Sequence, residues 1–150
     1  MSRDIFVFFL KFLEILPFEV IYLKVWKNAL LFCVGGAGYV GLELLWRGRS
    51  HISMFAAGGI CFLLLGKLAG AKCRLPLAVK GILGAGIITS VELVTGLLAN
   101  RDHSVWDYSR LPLNLFGQIC LPFSLLWIPL SIAAILLYQK MEAFFFRHTQ

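Results

Sequence analysis

Four stretches of this chain are almost free of charge, and each is close to the ~20 residues that carry a helix across ~30 Å of hydrocarbon. They run from Asn28 to Trp46, Ile52 to Gly70, Leu77 to Ala99 and Leu113 to Tyr138. Their apolar residues are continuous and do not alternate, so they read as helices and not as barrel strands. Composition agrees: 59% of residues are hydrophobic and 15% charged, against roughly 45–50% and about 25% in a soluble domain. The expected fold is all-α, a polytopic membrane protein with four transmembrane helices arranged as two tandem hairpins. The transmembrane domain is expected over residues 26–140, followed by a cytoplasmic tail over residues 141–150.

Residues 1–25 are of another kind. Lys11, Glu14 and Glu19 interrupt the apolar run, and no small-residue cleavage site follows, so a signal peptide is not expected. On a helix, Asp4, Lys11 and Glu14 share one face, while Phe6, Phe9, Leu13 and Leu16 cover much of the rest. That pattern suits an amphipathic helix lying in the membrane interface. Lysine and arginine then give an orientation. Arg3, Lys11, Lys24, Lys27, Lys67, Lys72, Arg74, Lys80, Lys140 and Arg147 share one side, and only Arg47, Arg49, Arg101 and Arg110 lie on the other. The bias puts both termini in the cytoplasm.

Two segments repeat one order of residues. Glu43 is followed by Arg47, Arg49 and His51, then by Gly59-Ile-Cys61; Glu92 is followed by Arg101 and His103, then by Gly117-Gln-Ile-Cys120. Short connections make consecutive spans antiparallel, so such a repeat implies a pseudo-twofold axis along the membrane normal. Ionisable groups inside a bilayer are costly and point to function. Glu43 lies one helical turn before Arg47, which suits an ion pair near the interface as well as a ligand site. Glu92 lies roughly 22 Å into its span at ~1.5 Å per residue. It has no basic residue within a turn on its own helix, so its partner must come from another helix, from water or from a proton. Both glutamates are candidate cation or proton sites, with a structural hydrogen bond as the plainer role for Glu92.

The second copy is richer in polar groups. Trp106, Asp107 and Tyr108 occupy the connection after the third span, where the aromatics suit the headgroup level and Asp107 or Ser109 is placed to cap the fourth helix. Asn114 and Gln118, four residues apart, would lie on one face of the fourth span and line a cavity with Glu92. Pro122 and Pro129 would kink that helix. The expected substrate or ion-binding set is therefore Glu92, Glu43, Arg47, Arg49, His51, Trp106, Asp107, Tyr108, Asn114 and Gln118.

No metal, cofactor or nucleic acid is expected. His51 and His103 have no second histidine at ligand spacing. Cys33, Cys61 and Cys120 lie in spans without a C-x-x-C, so they read as packing residues. The strings Arg47-Gly-Arg-Ser-His51, Gly58-Gly-Ile-Cys61, Trp106-Asp-Tyr-Ser109 and Gly117-Gln-Ile-Cys120 resemble those of small bacterial membrane proteins of the putative ABC-transporter type IV family. The resemblance covers about Asn28 to Ser131 and implies a permease-like role in the bacterial cell membrane. No G-x-x-x-x-G-K-[ST] is present, so any ATPase would be a separate subunit docking on the cytoplasmic side. The small bundle implies a homodimer or larger assembly in contact with membrane lipid. A membrane enzyme or lipid-binding protein, holding a phosphorylated headgroup with Arg47, Arg49, His51, Asp102, His103 and Asp107, is the competing class. No nucleophile with an adjacent base is readable, which ranks an enzyme lower. An assembly or regulatory subunit is a third class.

Overall fold

The structure is a computed structural model that describes residues 18–71 and 75–145. Residues 1–30 and 31–150 form two units, and all packing discussed below belongs to the second. Among the described residues four helices dominate: α1 (Phe18–Arg47), α2 (Ile52–Ala69), α3 (Leu77–Ala99) and α4 (Leu121–Phe145). All four are long and apolar enough to cross a membrane. Between α3 and α4 lie two short antiparallel strands, β1 (Asn114–Leu115) and β2 (Ile119–Cys120), with Asn114 opposite Cys120 and Leu115 opposite Ile119. The protein is thus an all-α polytopic membrane protein carrying one very small hairpin. Of the interfacial helix expected over residues 1–25, residues 1–17 lie outside the described residues, and residues 18–25 are the opening turns of α1.

The second and third helices fall where the charge pattern placed them. α1 starts at Phe18, earlier than the expected Asn28, because isolated lysines such as Lys24 do not break a helix. A long lysine stem can lie along apolar surface while its ammonium reaches water. α4 starts at Leu121, later than the expected Leu113. Leu113, Phe116 and Gly117 have φ of 51°, 54° and 65°, a left-handed backbone that no α-helix accommodates. Pro122 then falls in the first turn of α4, where its missing N–H has no helical acceptor to lose, so only Pro129 lies in the helix interior.

Small residues set the helix spacing. A Cβ on Gly58 would lie 2.7 Å from the Gly35 carbonyl oxygen, and one on Gly35 would lie 2.8 Å from the Gly58 oxygen. These two backbones therefore meet with nothing between them, which is how apolar helices associate in lipid. Between α3 and α4 the same closeness lets Ser131 Oγ donate to the Gly81 carbonyl at 2.8 Å. Gly66 of α2 lies under the Tyr138 ring, which meets Phe62 edge-on at 5.5 Å. Cys61, Leu65, Ala85, Ile88, Trp127 and Ile135 form the buried centre.

The connections are also specified. Gly48, with φ of 68°, ends α1 by donating its N–H to Leu44 O at 3.0 Å. His51 caps α2 by accepting the Ser53 N–H on Nδ1 at 3.2 Å. Lys80 Nζ donates to Ala69 O at 3.0 Å and so satisfies a carbonyl at the end of α2.

Gly58→Ala should lower the thermal midpoint of the detergent-solubilised protein, by overpacking of about 1–3 kcal/mol. Gly86→Ala, where a Cβ meets nothing within 4 Å, should leave the midpoint unchanged or raise it. Equal effects of the two substitutions would contradict the close α1–α2 approach.

Candidate functional site

The segment between α3 and α4, residues 100–120, is built around two buried amides. Asn100 is fully buried at the end of α3, and Gln118 is 2% exposed. Asn100 Nδ2 donates to Trp106 O at 2.7 Å and to Gln118 Oε1 at 3.0 Å, while Asn100 Oδ1 accepts the Val105 N–H at 2.8 Å. Gln118 Nε2 donates back to Asn100 O at 2.8 Å, and Trp106 Nε1 donates to Gln118 O at 2.9 Å. Every polar atom of both amides thus has a partner, and the partners tie the two ends of the segment together. Gly96 makes room for this: a Cβ there would lie 2.8 Å from Gln118 Cδ.

The rest of the segment is a set of turns. Asn114 Nδ2 donates to Ser109 O and Leu111 O, and its Oδ1 accepts the Gly117 N–H. Asp102 accepts from Ser104, and Asp107 accepts the Ser109 N–H at 2.8 Å. These bonds hold both exposed carboxyls below their ordinary range. A depressed carboxylate stabilises the turn above the ordinary range, and the contribution is lost as pH falls through the lowered value. His103, Leu113 and Phe116 all have positive φ. Such residues cost of order 1–3 kcal/mol each and persist only where surrounding bonds hold them.

This segment delivers a hydroxyl to Glu92. The Glu92 side chain belongs to α3 and is 4% exposed. Its Oε1 accepts from Tyr108 Oη at 3.1 Å and its Oε2 accepts from Trp127 Nε1 of α4 at 3.0 Å. Among the described residues, no Lys, Arg or His lies within ion-pair distance of it. Both donors are neutral. Burial first, and then the Glu92 charge, pushes the Tyr108 phenol above its ordinary range, so Tyr108 keeps its proton throughout the physiological range.

Glu43 is 8% exposed and differently satisfied. It pairs with Arg47 one turn along α1 and accepts from Ser50 Oγ at 2.5 Å. The Arg47 guanidinium also donates to Val105 O at 2.8 Å, which ties the first hairpin to the 100–120 segment. Tyr39, Leu42, Glu43, Trp46, Arg47, Tyr108, Phe123, Leu126, Trp127 and Leu130 line a cavity of about 170 Å³. Arg49 and His51 line a separate pocket of about 350 Å³ with Asp102 and Ser104.

The expected residues therefore divide. Glu92, Tyr108, Glu43 and Arg47 come together around one cavity and its wall. Arg49 and His51 face elsewhere, and His51 spends one ring nitrogen on capping. Trp106, Asn114 and Gln118 hold the segment's own fold. Asn114 and Gln118 do not share a helical face, because they lie on and beside the β1–β2 hairpin. Asp107 and Ser109 do not cap α4, which starts at Leu121, and instead form a turn with each other. Trp127 and Asn100 were missed by sequence reasoning. The signal for Trp127 was an indole N–H inside an apolar span, which needs an acceptor; Glu92 was the unpaired acceptor in the neighbouring span. Among the described residues, no group of three or more His, Cys, Asp or Glu is placed to hold a metal ion.

The family model described as "Putative ABC-transporter type IV" matches residues 30–150. The chain belongs to this family. The match takes in all of α2, α3 and α4, most of α1 and the whole 100–120 segment. Among curated proteins and solved structures, none matches. For this member of the ABC-transporter type IV family, the Glu92 constellation and the Glu43–Arg47 link lie entirely within the matched residues.

Asn100→Ala should loosen the segment, because each buried partner left without a bond costs about 1–3 kcal/mol. Hydrogen exchange over residues 101–119 should quicken while the four helices stay protected. Unchanged exchange in that segment would contradict the role assigned to Asn100.

Proposed function

We propose that this protein is the membrane-embedded component of a transporter, with Glu92 as its proton- or cation-binding carboxylate and residues 100–120 as a lid over it. The observation that carries this reading is a buried carboxylate inside a spanning helix whose two partners, Tyr108 and Trp127, are both neutral. A charge in that setting is costly unless a cation or proton offsets it. A purely structural carboxylate would gain more from a basic partner.

The chemistry follows from the bonds. An ionised Glu92 accepts from Tyr108 and Trp127 on separate oxygens. A proton or a bound cation takes up acceptor capacity on one oxygen and weakens the bond made there. Tyr108 belongs to the 100–120 segment and Trp127 to α4, so occupancy at Glu92 alters how tightly the lid is held. Arg47 gives the lid a second attachment through Val105 O. Family membership and four apolar helices support a transporter component. The lysine and arginine distribution supports cytoplasmic termini in a bacterial cell membrane, with the lid facing outward. The sequence carries no phosphate-binding loop, so an ATPase acting with it would be a separate subunit on the cytoplasmic side, and the size of the bundle supports a homo-oligomer. Glu43, already paired and bonded to Ser50, is then a secondary group that positions Arg47.

Proton flux into proteoliposomes loaded with a pH-sensitive dye checks this reading. Glu92→Gln keeps the volume and should reduce flux by tenfold or more while the protein remains monodisperse. Tyr108→Phe should leave flux measurable and alter its rate, since it frees the lid without removing the carboxylate. Wild-type flux in Glu92→Gln would overturn the assignment.

A further inference from the structure

Two cavities lie end to end between α1 and α4. The first is the 170 Å³ space beside Glu43 and Arg47. The second, about 350 Å³, lies deeper along the helices and shares Tyr39, Leu42, Trp127 and Leu130 with the first. Its other walls are apolar and include Gly35, Gly38, Gly58, Phe62, Leu65 and Ala134. The two cavities therefore adjoin across a shared wall, and among their lining residues the charged groups, Glu43 and Arg47, belong to the first. Glycines on α1 and α2 give the lower part of this cleft depth, and a Cβ on Gly38 would meet nothing within 4 Å.

The upper chamber is walled by aromatic rings. Tyr108 stacks on Phe123 at 4.8 Å, Trp46 meets Phe123 edge-on at 6.4 Å, and Tyr39 lies 5.9 Å from Trp127. Aromatic rings attract cations within about 6 Å of their centres, most strongly where water is excluded. Glu43 and Arg47 offset each other in the lining, so the unmatched charge near the chamber is that of an ionised Glu92. Glu43 lines the chamber, and Glu92 stands directly behind Tyr108 and Trp127, on their hydrogen bonds. Among the described residues Arg47 is the single basic one in the lining, and it already donates to Glu43 and to Val105 O. An anionic headgroup would have to compete with both.

We propose that this cleft binds a membrane-borne amphiphile with an ammonium headgroup: the alkyl chain lies in the lower chamber and the ammonium lies among the aromatic rings beside Glu43. Polarity at one end, an apolar remainder and a shared wall are what such a molecule requires. The cleft abuts both donors to Glu92, so an occupant bears on the Tyr108 latch. The aromatic wall and the lower chamber supply most of the binding and Glu92 adds charge from behind, so loss of the Glu92 charge weakens ammonium retention without abolishing it.

The test is native mass spectrometry of the full chain in a neutral maltoside detergent, with three probes. Tetradecyltrimethylammonium should be retained at one equivalent per chain, about tenfold above tetradecanoate of the same chain length and above tetramethylammonium, which lacks the chain. Gly38→Leu should abolish the advantage of the long chain. That substitution fills the lower chamber and replaces a glycine with a better helix former, so its thermal midpoint should not fall. Phe123→Leu should reduce retention of the long-chain ammonium by about tenfold and leave tetradecanoate unchanged. Equal retention of the ammonium and the carboxylate, or full retention by Gly38→Leu, would overturn the site. Chain-dependent ammonium binding that persists in Glu92→Gln supports the site whatever that variant does to flux. Flux that depends on Glu92 without ammonium binding removes the site and leaves the transport reading standing.

Discussion

A carboxylate held inside a membrane span by two neutral donors is the interaction on which this structure turns. Glu92 brings together three parts of the chain: α3, which carries it, α4, which supplies Trp127, and the 100–120 segment, which supplies Tyr108. In hydrocarbon an unsatisfied carboxylate is far more costly than in water. The three parts must therefore be correctly placed for the charge to be tolerated, and the polar scaffolding of the segment is what places Tyr108. Asn100 and Gln118 bind each other and the backbone on both sides, which makes the segment a folded unit with fixed ends. Close packing at Gly81 and Gly84 against α4 keeps Trp127 within reach.

The first hairpin supports this arrangement by different means. Its glutamate is paired with Arg47 along one helix turn and bonded to Ser50, so its charge is met locally. What passes onward is the second half of the guanidinium, which holds Val105 O of the 100–120 segment. The two glutamates occupy corresponding places in a repeated order of residues, yet one is closed by an ion pair and the other by neutral donors. The connections differ accordingly: a short turn at Gly48 follows the first, and a folded segment follows the second.

The sequence made the membrane helices legible because charge is excluded from hydrocarbon, and that exclusion leaves a pattern over twenty residues at a time. α2 and α3 were placed almost to the residue on this basis. The start of α4 was not, because residues 113–120 are apolar enough to pass as helix. Only the backbone reveals the left-handed turns at Leu113, Phe116 and Gly117. The same gap explains the site. Glu92 was conspicuous as an ionisable residue in an apolar run, and Tyr108 stood out in an aromatic connection. That they meet, with Trp127 as the third member, depends on contacts between residues 16 and 35 positions apart. Periodicity along one helix does not carry that information. Asn100 is the clearest loss, since a buried amide hub looks like an ordinary loop asparagine until its partners are in place.

Tyr108 is the point at which the 100–120 segment is latched to the intramembrane carboxylate. A double-mutant cycle on thermal or denaturant stability, with Tyr108→Phe, Glu92→Leu and the pair, measures that link directly, because leucine fills similar space and accepts no hydrogen bond. A coupling energy of at least about 1 kcal/mol is expected, the net scale of a hydrogen bond. Strictly additive effects, with coupling indistinguishable from zero, would contradict that link.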